Sequence, residues 1–110
     1  GGAAFITALA AKVCGARAGL VARVPRVIPV DVARAFAPGG LDRAGLKQRE
    51  GVLPSFQIAY DAEHNASYGE FAPGLESELC AADFPEQWLA GVRVVHIASL
   101  AGDALLQLQH

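Results

Sequence analysis

The chain has no basic run, no paired-cysteine motif and no long apolar stretch, and each absence removes a class of function. Its arginines (Arg17, Arg23, Arg26, Arg34, Arg43, Arg49 and Arg93) are scattered, and its formal net charge is −2. With a pI near 5.9, such a chain carries no electrostatic footprint for nucleic acid. Cys14 and Cys80 are far apart and show neither C-x-x-C nor Cys/His zinc spacing. Both lie in apolar, helix-like stretches, which predicts buried free thiols. No stretch reaches the roughly 18 apolar residues of a membrane span. No charged segment precedes an apolar core as in a secretory signal. The expectation is a cytoplasmic protein that meets neither membrane nor nucleic acid. Internal repeats, low-complexity segments and a recognisable Ser/His/Asp or Cys/His set are also missing.

What is present is globular in character. Of 110 residues, 53% are hydrophobic and 18% charged, which separates the chain from disordered sequences. The mean hydropathy of +0.31 is high for a free-standing domain of this size and suits a segment whose apolar faces meet further partners.

Hydrophobic periodicity predicts the elements. Residues 3–14 read as a helix, with Phe5, Leu9 and Val13 spaced by four, Ile6 and Ala10 alongside, and Gly15 as its stop. Residues 17–24 read as a buried strand that Pro25 and Pro29 end. A second helix is expected from Asp31 as N-cap, with Val32, Ala35 and Phe36 as its apolar face and "APGG" as its end. The polar stretch that follows reads as a loop with a short strand near 46–49.

The clearest local signal is "PSFQIAYDAEHNASYGEF". Phe56, Ile58 and Tyr60 alternate with Ser55, Gln57, Ala59 and Asp61, the period of a half-buried strand. "AEHN" turns the chain and residues 66–71 return, giving a hairpin over 54–71. A short helix is expected around "FPEQWLA", with Trp88 and Leu89 pointing inward. Residues 92–100 read as a second buried strand, and "GDALLQLQH" as the start of a helix. Buried strands alternating with helices imply an α/β fold with a parallel sheet covered on both faces. The hairpin stands outside that alternation.

Two stretches carry a family resemblance with the hairpin between them: "GGAAFITALAAKVCGARAGLVARV" and "DFPEQWLAGVRVVHIASLAGD". With "PSFQIAYDAEHNASY", in this order, they resemble the N-terminal half of the PfkB (ribokinase-like) carbohydrate kinase family. The resemblance covers nearly the whole chain. It implies that residues 1–110 are part of a ribokinase-like three-layer α/β/α sandwich with a β-hairpin lid. It implies ATP- and Mg2+-dependent phosphorylation of a sugar or nucleoside hydroxyl by the parent enzyme. Ile6 stands where the family usually has Asn, and the family's "G-D-D-x-x-G" gives way to "PRVIPVDVARAF". The family's substrate-binding aspartate would precede Gly1, and its "D-T-x-G-A-G-D" segment would follow His110. No catalytic residue, metal ligand or nucleotide contact is therefore assigned within these residues, and the chain alone is expected to be inactive.

The substrate-binding candidates are Gly1, Gly2, Phe56, Ile58 and Tyr60. A glycine pair lets backbone approach a sugar, or simply makes a tight turn into a helix. The three hairpin residues supply a closing apolar face, or pack on the sheet, or pair with a second lid in a homodimer. The glycine pair lacks the G-x-G-x-x-G spacing of a dinucleotide site. His96 is expected in the core or at a sheet end, His64 in a solvated turn and Asp103 as a helix N-cap. Asn65-Ala66-Ser67 is a chance sequon, and "LESEL" a solvated helix face. The reading from a different class is a self-contained, non-catalytic binding or oligomerisation module.

Overall fold

Residues 2–98 are described by the computed structural model. Helix α1 (Ala3–Val13) leads into strand β1 (Ala22–Pro25), a short helix α2 (Val30–Arg34) and strand β2 (Leu46–Arg49). The hairpin strands β3 (Ser55–Tyr60) and β4 (Ala66–Ala72) follow, then three single 3-10 turns, Leu75–Glu78, Ala81–Asp83 and Glu86–Trp88. Among the described residues the result is a small mixed α/β fold with two separate two-stranded sheets.

Helix α1 forms because five of its eleven residues are alanine, and it ends where glycine permits a left-handed residue. Gly15 has φ 89°; its N–H donates to Lys12 O at 3.0 Å, and that of Ala16 to Ala11 O at 3.0 Å. These paired bonds satisfy carbonyls that a helix end leaves open. The face of α1 that matters is set by Ala8, buried with Phe36 and Leu41, with Phe5 and Leu9 packed alongside. Val13 overhangs this core and is 87% exposed, and Ile6 faces solvent. The thiol of Cys14, expected inside, is exposed at the helix end, whereas Cys80 is half-buried.

Strand β1 pairs with β2 in parallel, Ala22 opposite Leu46 through Pro25 opposite Arg49. An isolated bridge from Gly19 to Asp42 prolongs the pairing backwards. The strand expected over 17–24 thus begins its ladder later. The Trp88 ring lies over Gly19, where a Cβ would come within 2.5 Å of it. Pro25, with no N–H to give, is the last residue of the ladder. Helix α2 starts at Val30 with Pro29 as N-cap, while Asp31 sits in its first turn and reaches Arg34. Proline's fixed φ, −55° here, sets the entry that the acid was expected to make.

The largest correction concerns 92–100. Residues 92–98 form no strand, and Val94, Val95 and His96 are exposed rather than buried. An apolar run becomes a strand only where a neighbour offers a ladder in register, and none reaches this segment among the described residues. Leu100, Asp103 and the helix expected over 102–110 lie outside the described residues. Around Trp88 the expected helix is a single 3-10 turn; Trp88 is half-buried and Leu89 is exposed. No helix among the described residues is long and apolar enough to cross a membrane.

Candidate functional site

The hairpin is where the sequence-derived candidates gather. Its turn is organised by Asp61, whose Oδ1 accepts the N–H groups of Glu63 (3.0 Å) and Asn65 (2.8 Å) and whose Oδ2 accepts the Asn65 side-chain amide (3.0 Å). The Asn65 side-chain and backbone donors, with that of Glu63, hold the Asp61 carboxyl below its ordinary value. Asn65 Nδ2 is thus engaged within the turn, and His64 adopts a left-handed φ of 64° in solvent.

Cross-strand pairing then decides which side chains share a face. Phe56 lies opposite Phe71, Ile58 opposite Tyr68 and Tyr60 opposite Ala66. Between the first two pairs the register shifts, so Gly69 and Glu70 together face Gln57. The bulge keeps Tyr68 and Phe71 on the same face although three positions separate them. Strict alternation in the sequence therefore shows the β3 half of this face and hides the β4 half. The rings of Phe56 and Phe71 stand 4.8 Å apart, centroid to centroid. Phe56, Ile58, Tyr60, Tyr68 and Phe71 are all exposed. An open concavity of about 530 Å³ at the bulge is lined by Phe56, Ile58, Tyr68, Gln57, Ser67 and Gly69.

The hairpin rises from a tight root. Leu75 donates its N–H to Val52 O at 3.0 Å. A Cβ on Gly74 would lie 2.5 Å from both Pro54 N and Val52 O, and one on Gly51 2.6 Å from Leu75 Cδ2. Gly51 also has φ 143°, outside the range most side chains accept. Two glycines and one buried leucine thus fix the place where the hairpin leaves the body.

Of the glycine pair, Gly1 lies outside the described residues. Gly2 is the N-cap of α1, with φ 96° and no side-chain cap. A Cβ there would meet nothing within 4 Å, so the backbone conformation, not a crowded neighbour, selects glycine. Phe56, Ile58 and Tyr60 share one face, and Gly2 is not among the residues lining the hairpin concavity.

A second polar cluster was not foreseen. Arg23 on β1 donates through Nε to Asp83 Oδ2 (2.8 Å) and pairs through Nη1 with Glu78 (3.1 Å). Asp83 Oδ2 also accepts the Cys80 N–H at 3.0 Å. Burial pushes the Asp83 carboxyl up, but the Cys80 N–H and the Arg23 guanidinium outweigh it and hold the group below its ordinary value. The Asp83 bond in turn raises Arg23. The cluster clips the 75–83 segment onto β1, so "LESEL" is no free helix face: Leu75 and Leu79 are buried beneath it. Among the described residues no group of three His, Cys, Asp or Glu is placed to hold a metal ion.

Comparison with protein-family models, curated proteins and solved structures finds no match to this chain.

Proposed function

We propose that the chain is the substrate-binding and lid portion of a sugar or nucleoside kinase of ribokinase-like α/β/α architecture. The observation that carries this reading is the hairpin: an aromatic face, open to solvent, on a ribbon held to the body by a glycine-flanked root. Aromatic rings stack on the C–H faces of sugars and on nucleobases. Closure of such a face expels water, so that a phosphoryl group passes to the substrate hydroxyl rather than to water. Phe56, Ile58 and Tyr60, joined by Tyr68 and Phe71, act as the closing surface. Gly1 and Gly2 let backbone come close to the substrate at the head of α1. ATP and Mg2+ belong to the parent enzyme, and no residue here is assigned to either.

The test is a two-dimensional NMR titration of the chain with ribose, fructose and adenosine. Saturable shifts clustered at Gly2 and along β3 and β4, weakened by Phe56→Ser, are expected. Absence of shifts, or shifts indifferent to that substitution, overturns the reading. Phosphorylation of a sugar by the pure chain would overturn its assignment as a part only.

The same face supports one other reading. Phe56, Ile58, Tyr60, Ala66, Tyr68 and Phe71 include no charge, so two copies of the face could meet without repulsion. In that reading the chain is an oligomerisation module, and the homodimer forms through the hairpin. Light scattering that gives a dimer, dissociated by Phe56→Ser and unaffected by sugars, would favour it.

A further inference from the structure

The end of α1 and the loop after α2 border an open cleft of about 360 Å³, lined among others by Lys12, Arg17, Phe36, Gly39, Leu41 and Arg43. The distribution of charge around it is uneven. Arg23, Arg26 and Arg34 each pair with a carboxylate, and Lys47 and Arg49 donate to backbone carbonyls. Lys12, Arg17, Arg43 and Arg93 have no such partner among the described residues, and the first three line this one cleft. The lining carboxylate, Asp42, is already engaged: Oδ1 accepts the Ala44 N–H at 2.9 Å and Oδ2 the Trp88 Nε1–H at 3.0 Å. The carbonyls of Ala11 and Lys12, which would otherwise present negative ends here, are taken by Ala16 and Gly15.

The loop itself is built to hold still. Gly40 N–H donates to Ala37 O and Leu41 N–H to Ala35 O, each at 2.8 Å. A Cβ on Gly40 would collide with the Ala35 carbonyl oxygen, and Gly39 has φ 83°. The Gly39 and Arg43 backbone N–H groups have no acceptor among the described residues. Phe36 and Leu41, both buried, form the floor.

We propose that this cleft binds a small phosphorylated solute. Three cations and two N–H donors without partners among the described residues match a group with two or more negative charges and several acceptor oxygens. Guanidinium groups match phosphate geometry in particular. The apolar floor takes an uncharged part of the ligand. The site is independent of the hairpin and of the reading given to it.

Inorganic pyrophosphate is the probe, titrated into the whole chain and followed by two-dimensional NMR. Saturable shifts at Gly39, Gly40 and Arg43 are expected. The double variant Arg17→Gln with Arg43→Gln weakens binding by at least about tenfold, the scale of one lost charge-assisted hydrogen bond. Arg93→Gln leaves binding unchanged. Because Arg43 adjoins the Asp42–Trp88 bond, Lys12→Gln serves as a second variant, with Trp88 fluorescence confirming the fold in each. Shifts spread evenly over Lys47, Arg49 and Arg93, or equal affinity in the double variant, overturn the proposal. Citrate binding as tightly as pyrophosphate also overturns it, since the cleft would then read charge without preferring phosphate.

Discussion

The body and the hairpin of this chain are held by different physics. In the body, polar links join residues far apart in sequence: Arg23 to Asp83, Arg23 to Glu78, Trp88 to Asp42. They brace a small core of Ala8, Phe36, Leu41, Leu75 and Leu79. In the hairpin every residue of β3 and β4 is exposed, and the polar links are local, from Asp61 to Asn65 and from Ser67 to Ala59. A two-stranded ribbon is marginal by itself in water. The hairpin is therefore expected to draw its order from its root on Leu75. Its aromatic face stays exposed to solvent, which is why the proposal above gives it a ligand or a second copy to meet.

The most damaging way to break this division is at the root. Leu75 is 4% exposed, packs on Gly51 and bonds Val52 O at the root, and its turn lies against β1. Leu75→Ala should cost about 3 kcal/mol, within the range of buried leucine truncations. Thermal unfolding should show the loss, and amide exchange should quicken in β3 and β4 as well as in β1. A hairpin that keeps its protection while the body weakens would mean that it stands without its root.

A smaller effect is expected at the clip. Asp83→Asn leaves Arg23, whose side chain is only 17% exposed, with the solvent-exposed Glu78 as its remaining carboxylate. The cost should be about 2 kcal/mol, below that of a fully buried broken pair because solvent reaches one side. Asp83 has its folded-state pKa depressed below 3.8. Its contribution is therefore complete above the unfolded value and is lost as pH falls through the folded one. Melting temperatures of the parent and of Asp83→Asn should converge as pH is lowered from about 6 towards 2. Curves that stay parallel would show that Asp83 acts through packing, not charge.

Local signals in the sequence were legible and long-range ones were not. Alternation at Phe56, Ile58 and Tyr60 placed β3, the polar turn placed the return, and the short strand at 46–49 matches β2. Helix α1 followed from its alanines and the glycine after them. What failed depended on partners that no local pattern reveals. "VRVVHIASL" has the composition of a buried strand, yet residues 92–98 have no ladder to join among the described residues. Gly19 and Gly45 were not marked, although the Trp88 ring packs against both. Arg23 and Asp83, sixty residues apart, leave no periodic trace. Half of the hairpin face was missed for a subtler reason, the bulge that puts Tyr68 and Phe71 out of phase. The cleft lined by Lys12, Arg17 and Arg43 assembles residues from three segments, each of which reads as scattered charge.

Within the hairpin the comparison sharpens to single residues. Asp61→Ala removes the acceptor for three donors in the turn. Because the group is fully exposed, the change should register as faster amide exchange at Glu63 and Asn65 with the body's melting temperature held. A fall in that temperature would tie the turn to the core and erase the distinction between the regions.

The smallest expected effect on stability is also the most telling about use. Tyr60 is 67% exposed and lies opposite Ala66, so its ring supports little that folding requires. Tyr60→Ser should change stability by no more than about 0.5 kcal/mol, as for surface positions without special contacts. If the aromatic face exists to meet a ligand or a second copy, the same substitution should weaken sugar or nucleoside shifts, or dissociate the dimer, while the melting curve stays in place. A stability loss with binding unchanged would reverse the assignment: the ring would then belong to the fold, and the face would be a cost of building the hairpin rather than its purpose.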